Sequence, residues 1–328
     1  MSRVLLRCNK WLLQDRFLLS LRGVRLLSVD SINGKHFKCE IKEGDVAVLR
    51  LNSPGVKENV LNGEVLEEFK TASQALTADD KVKSVVLISG KPNSFVAGAD
   101  INMLGSLKTA EAVTQVSRTG QQYLQLAESS PKPIVAAIMG TCMGGGLEVV
   151  LACHYRIAVD NSKTKFAAPE VMLGLLPGAG GTQRLPKLIS VPNALDMVLT
   201  GRNIPASKAK RMGLVDQLVK PLGPGTQDPQ ARTLQYLEDV AISTAKQLGK
   251  KSLKVDRKRP LQERLLSWAM GYEFVRNKVF DTAKKQVMKQ SKGLYPAPLR
   301  IWSACERAWR RDLKLVMPWS QSISVNWP

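Results

Sequence analysis

One stretch constrains this chain more than any other. Residues 134–184 read IVAAIMGTCMGGGLEVVLACHYRIAVDNSKTKFAAPEVMLGLLPGAGGTQR. An apolar run of strand length passes straight into Gly144, Gly145 and Gly146, and then into a helix-forming run that carries Glu148. Glycines at a strand-to-helix turn let the main chain approach a ligand closely, and the N–H groups of the helix's first turn have no partner within the helix. Glu148 stands between Leu147 and Val149 in LEVVLAC. A lone helical glutamate usually belongs to a solvated face, whereas an unpaired carboxylate in an apolar run is costly and points to a function. A second glutamate, Glu170, follows Pro169 and precedes another glycine cluster, Gly178, Gly180 and Gly181. Such clusters can cradle phosphates. No Gly-Lys-Ser or Gly-Lys-Thr follows this one, and no GxGxxG opens a βαβ unit, which excludes a P-loop and a dinucleotide site.

The surrounding pattern is that of an α/β protein. Residues 45–51 (DVAVLRL) alternate like a half-buried strand, and residues 62–76 and 109–127 have the spacing of amphipathic helices. SVVLIS at 84–89 and the run at 134–139 are continuously apolar, as strands covered on both faces are. Strand and helix in alternation predict a mainly parallel core. After Thr182 the chain reads helical to Lys210, broken by Pro186, Pro192 and Pro205, and residues 214–219 form a last short strand. The Pro- and Gly-rich segment 221–230 (PLGPGTQDPQ) marks a boundary. Beyond it, residues 231–248 and 260–292 read as helices rich in lysine and arginine, and residues 300–328 show no sustained period.

The glycine triplet, the two glutamates in this order and FVAGADI at 95–101 together resemble the enoyl-CoA hydratase (crotonase) family, over roughly residues 44–299. The resemblance implies that family's α/β fold, a ββα spiral core, followed here by C-terminal helices. It implies addition of water to trans-2-enoyl-CoA thioesters in fatty acid beta-oxidation, on medium or long chains, with delta-3/delta-2 isomerisation as a side activity. Negative charge builds on the thioester oxygen in such a reaction, and a pair of fixed N–H donors is the largest lever on it. The resemblance assigns those donors, the oxyanion hole, to Ala99 and Gly145. It assigns activation of the water to Glu148 and proton donation to the alpha carbon to Glu170. Like charges around a shared site push their pKa values apart, which lets an ionised and a protonated carboxyl coexist. Ala97, Gly98, Asp100, Ile101, Gly144 and Gly178 are implied as substrate- and CoA-binding, with a backbone N–H near Gly178 facing the water or Glu170. No cofactor is implied beyond the coenzyme A that the substrate carries. His36 and His154 are the only histidines and have no HExxH or CxxC companion, so neither a metal site nor a Ser-His-Asp triad is expected.

The net charge of +20 invites a nucleic-acid reading, but its distribution matters more. Residues 1–29 carry six basic and one acidic side chain, residues 246–292 fourteen and four, and residues 300–328 five and two, which leaves the body nearly neutral. With no RRM or KH signature, this argues against nucleic acid; the basic helices read first as solvated faces, with an anionic membrane surface or an acidic partner as the sharper alternative. Arg3, Arg7, Arg16, Arg22 and Arg25 lie among leucines with Asp15 the only acid, the composition of a mitochondrial transit peptide. The expected location is therefore the mitochondrial matrix, with association to the inner membrane. Five scattered cysteines without CxxC fit reduced thiols. The expected division is a transit peptide at 1–29, a hydratase core at 30–222, a basic helical extension at 223–299 and an atypical, disordered tail at 300–328.

Within the family, the likeness runs to the hydratase region of trifunctional beta-oxidation alpha subunits, which continue into a dehydrogenase region and pair with a thiolase-bearing beta subunit. An acyl-CoA substrate and either that beta subunit or a homo-oligomer are the implied partners. No dehydrogenase activity is expected of the residues present. The alternative to a working hydratase is a catalytically impaired assembly fragment.

Overall fold

The computed structural model describes residues 32–43, 45–226, 228–257, 261–291 and 296–316, so the expected transit peptide lies outside the described residues. In chain order the strands are β1 (Phe37–Lys42), β2 (Val46–Leu51), β3 (Ser84–Ser89), β4 (Ser94–Val96), β5 (Ile134–Ile138), β6 (Thr141–Met143), β7 (Tyr155–Val159), β8 (Lys165–Ala167), β9 (Ile204–Pro205) and β10 (Gln217–Val219). They form a six-stranded sheet of order β1-β2-β3-β5-β7-β10 and a four-stranded sheet of order β4-β6-β8-β9. Only β1 in the first sheet and β9 in the second run antiparallel to their neighbours. The strand β1, FKCEIK, alternates apolar and charged residues and falls outside the strands expected above.

The helices are α1 (Gly63–Ala78), α2 (Ile101–Ser106), α3 (Ala110–Glu128), α4 (Gly145–Ala152), α5 (Gly181–Leu188), α6 (Val191–Thr200), α7 (Ala206–Arg211), α8 (Pro229–Gly249), α9 (Leu261–Ala269), α10 (Glu273–Ser291) and α11 (Pro296–Val316). Each of β3, β5 and β7 hands the chain to a short strand of the second sheet before a helical segment follows. Repeated, this strand–strand–helix unit is the expected spiral. The continuously apolar strands are explained by two cores. Val85, Leu87, Ala136, Ile138 and Ala158 pack inward toward the second sheet and its helices. Val86, Ile88, Val135, Ala137, Ile157 and Val159 face the other way, onto Leu237, Ala241, Ala245 and Leu248 of α8. Burying such a valine, leucine or isoleucine stabilises by about 1.5–3 kcal/mol, so neither face tolerates a polar residue cheaply.

Two expectations need correction. The segment 260–292 is not one helix: α9 and α10 are separate, with Gly271 in the turn between them. The expected disordered tail is a helix, α11, as far as Val316, while residues 317–328 lie outside the described residues. Ala297, Ile301, Cys305 and Ala308 recur every three or four residues and are buried, and α11 packs on α5, α6 and α10. Arginines and tryptophans on the same helix obscured that stripe. Trp302 joins it by donating its Nε1–H to the Phe280 carbonyl at 2.8 Å.

Candidate active site

The strand-to-helix turn is built around Gly144, whose φ of +51° suits glycine and whose N–H donates to the Ala167 carbonyl on the neighbouring strand β8 at 2.9 Å. Helix α4 then starts at Gly145, in the first turn where N–H groups have no helical acceptor. A Cβ placed on Gly145 would lie 3.7 Å from the Ala99 nitrogen, so the two main chains converge. On the other side of that gap, Leu61 donates to the Gly98 carbonyl at 2.8 Å and accepts from the Asp100 N–H at 3.0 Å. Extended backbone alternates its polar groups, so the intervening Ala99 N–H points away from Leu61. Ala97 donates to the Asn59 carbonyl at 2.8 Å. Asp100 caps α2 by accepting from Asn102 at 2.8 Å, and Ile101 opens that helix 65% exposed. Asp100 and Ile101 thus have evident structural places in the rim of the site.

Glu148 sits on α4 with only 4% of its surface exposed, and its Oε1 accepts from the Gly181 N–H at 2.6 Å. Glu170 lies in a 3-10 turn, Pro169–Leu173, with its Oε2 buried and without a hydrogen-bond partner among the described residues. Each carboxylate rests where a glycine leaves room. A Cβ on Gly144 would come 3.2 Å from Glu170 Oε1, and one on Gly181 would come 3.0 Å from Glu148 Oε1. The chain therefore brings together residues that are far apart in sequence: Ala99 with Gly145, Glu170 with Gly144, and Glu148 with Gly181.

Burial, then the charge of Glu170, pushes Glu148 up to about 8, against the lowering pull of the Gly181 and Ala179 N–H groups and of Arg184. Burial likewise raises Glu170. The two titrate as a pair rather than separately. Their surroundings are unequal, because the loop donors and the arginine serve Glu148 while Glu170 Oε2 has none. Glu148 is raised in part by the charge of Glu170, whereas Glu170 is raised by burial alone and lowered by its own backbone N–H, so in the free protein the proton of the pair rests on Glu148.

The loop N–H groups that reach a glutamate belong to Ala179 and Gly181, and they reach Glu148 rather than Glu170. Gly178 takes part through its carbonyl, which accepts from Ser117 Oγ at 2.7 Å and Gln121 Nε2 at 2.8 Å. Ser117 and Gln121 were absent from the sequence-derived site. Their only signal is that they stand one helical turn apart on α3. Beside the oxyanion-hole candidates, an apolar cavity of about 50 Å³ lies between α1, α3 and the large sheet, lined from Gly145 and Ala179 past Leu61 and Tyr123 to Phe37 and Phe69. Among the described residues, no three histidine, cysteine or acidic side chains converge to hold a metal.

The comparisons with known proteins agree with this geometry. A family model described as "Enoyl-CoA hydratase/isomerase" matches residues 41–278. The fatty acid oxidation complex subunit alpha of Shewanella amazonensis is 43% identical over 267 residues, 81% of this chain and 35% of the relative. Its counterpart in Shewanella loihica is 42% identical over the same shares. This chain thus spans about a third of the length of those relatives. Among solved structures, an enoyl-CoA hydratase from Bacillus anthracis superposes with a TM-score of 0.58 at 28% identity, over 77% of this chain and 90% of that one. One from Geobacillus kaustophilus gives 0.58 at 30% identity, over 77% and 95%.

Proposed function

We propose that this chain, which belongs to the enoyl-CoA hydratase/isomerase family, adds water across the double bond of a trans-2-enoyl-CoA thioester. The observation that carries the reading is the unequal pair of buried glutamates beside two converging N–H groups. The thioester oxygen is held by the N–H groups of Ala99 and Gly145. Once its own proton has passed to Glu170, Glu148 takes a proton from water as the water oxygen bonds to the beta carbon, and the double-bond electrons move toward the thioester oxygen. Protonated Glu170 then gives its proton to the alpha carbon as the carbonyl re-forms. The proton taken from water then passes from Glu148 to Glu170, which restores the reactive form of the pair for the next turnover, and no cofactor is consumed beyond the coenzyme A carried by the substrate. Isomerisation of delta-3 to delta-2 enoyl-CoA uses the same enolate and the same oxyanion donors.

The apolar lining that begins at Gly145 supports an acyl group as what the cavity takes, and the resemblance to the family points to medium or long chains. The relatives' name, subunit alpha of a fatty acid oxidation complex, supports a further subunit as partner, and the resemblance adds a thiolase-bearing beta subunit or a homo-oligomer. Leu261, Leu265, Trp268 and Tyr272, exposed on and just after α9 in a strongly basic region, support contact with an anionic membrane surface. The composition of residues 1–29 supports import into the mitochondrial matrix, which fusion of that segment to a reporter tests directly.

The activity test follows loss of the enoyl-thioester ultraviolet band with crotonyl-, decenoyl- and hexadecenoyl-CoA. Glu148→Gln or Glu170→Gln should cut turnover by about 10²–10⁴, the scale of a lost general acid or base. A folded wild-type protein without turnover, or turnover that survives both replacements, would sink the reading.

A further inference from the structure

We propose that Arg184 and Glu128 are positioning residues: with Ser117 and Gln121 they clamp the 178–181 loop to α3, so that its N–H groups face the Glu148 carboxylate. The inference rests on the hydratase reading above and adds residues to it. A trans peptide group is planar, so whatever grips its carbonyl also sets the direction of its N–H. The peptide between Gly178 and Ala179 is gripped at its carbonyl by Ser117 and Gln121, which turns the Ala179 N–H the other way. The next carbonyl, of Ala179, accepts from Arg184 Nη1 at 2.8 Å. The third, of Gly180, accepts from the N–H groups of Gln183 and Arg184, both at 3.0 Å, and its peptide partner is the Gly181 N–H that meets Glu148. Three successive peptide planes are thereby fixed from outside the loop.

Arg184 is the hinge of this arrangement. It is 9% exposed, and its Nε donates to Glu128 Oε2 at 2.9 Å, at the end of the same helix α3 that carries Ser117 and Gln121. A buried guanidinium without its carboxylate would not stay, so Glu128 holds Arg184 and Arg184 holds the loop. The charge of Arg184 also favours the anionic form of Glu148, which faces the carboxyl of Glu170 from the 3-10 turn. His154 stands behind Glu128. Burial and the neighbouring Arg257 and Arg156 keep it toward the neutral form, so it does not compete as a cation for Glu128.

The experiment uses the full chain labelled with ¹³C at glutamate side-chain carboxyls, with the Glu148 signal identified by its loss in Glu148→Gln. Its titration is followed in wild type, Arg184→Gln, Arg184→Lys and Glu128→Gln, alongside the pH dependence of kcat/KM for crotonyl-CoA. In Arg184→Gln the Glu148 midpoint should rise and kcat/KM on the acid side should fall about tenfold, the effect of losing one nearby charge. KM should change little. Arg184→Lys should restore part of the midpoint, and Glu128→Gln should fall between. An unmoved midpoint in a folded Arg184→Gln, with activity lowered equally at every pH, would overturn the clamp and leave a purely structural role. Should Arg184→Gln not fold, Glu128→Gln and Gln121→Leu decide in the same way. A wild type without turnover would refute the hydratase reading, while the titration would still decide the clamp.

Discussion

Two buried charged clusters in this fold are finished in opposite ways. At Arg156 every need is met. Its Nη2 meets Asp216 at 2.7 Å, its Nε meets the Leu214 carbonyl at 2.9 Å, and its Nη1 meets the Cys153 carbonyl at 2.7 Å. Burial lowers its pKa to about 10, still far enough above neutrality for a full charge. At Glu148 and Glu170 two like charges face each other, the first held by loop N–H groups and the second with an oxygen left unpaired. The compensated cluster joins β7 to the segment before β10 and is scaffold. The uncompensated one stores electrostatic cost at the pair proposed above to move protons, the pattern expected of a reaction site.

Replacements should separate these roles. The largest effect is expected at the reacting pair, where Glu148→Gln removes activity while raising stability at alkaline pH. The sign follows from its titration. Between the ordinary value of 4.5 and the folded value of about 8, the folded protein keeps a proton that the unfolded chain has lost. Wild-type stability is therefore greatest below that window and falls as pH rises through it, by a few kcal/mol at most, about 1.4 kcal/mol per pH unit at its steepest. Melting curves across this range should show the slope in wild type and a flatter one in Glu148→Gln. A wild type whose stability rises through the window would contradict the burial argument.

Asp216→Asn should do the reverse, costing about 3–5 kcal/mol because Arg156 is left buried without its carboxylate. Denaturant titration should register that loss while kcat per folded molecule stays at the wild-type level. A variant as stable as wild type would mean that the carbonyl acceptors suffice. The smallest effect is expected at Gly144→Ala, where a positive φ and the crowding of Glu170 Oε1 together should cost about 1–3 kcal/mol. The same change should lower kcat by displacing Glu170, and unchanged kcat would show that the carboxyl has room to spare.

Sequence patterns reached the parts of this molecule that are local. The apolar runs at 84–89 and 134–139 announced strands buried on both faces, and Glu148 stood out because no solvated face was available to it. The glycine triplet announced the turn. The stripe of α11 is equally local in principle, but Ala297, Ile301, Cys305 and Ala308 are too small or too mixed in type to stand out among arginines and tryptophans. The β1 hairpin shows the same limit, since FKCEIK is a short edge strand with charged neighbours.

What the sequence determined by itself was the inventory: a parallel α/β core, a glycine turn at the mouth of a helix, and a glutamate, Glu148, set in an apolar run where a solvated role is excluded. Tertiary structure alone decided which groups meet. Ala99 faces Gly145, the Gly181 N–H reaches Glu148, and Ser117, Gln121 and Arg184 orient the loop that carries it. Those pairings depend on strand register and on the direction of rigid peptide planes, and both are set by packing between segments far apart in the chain, where no local pattern carries the information.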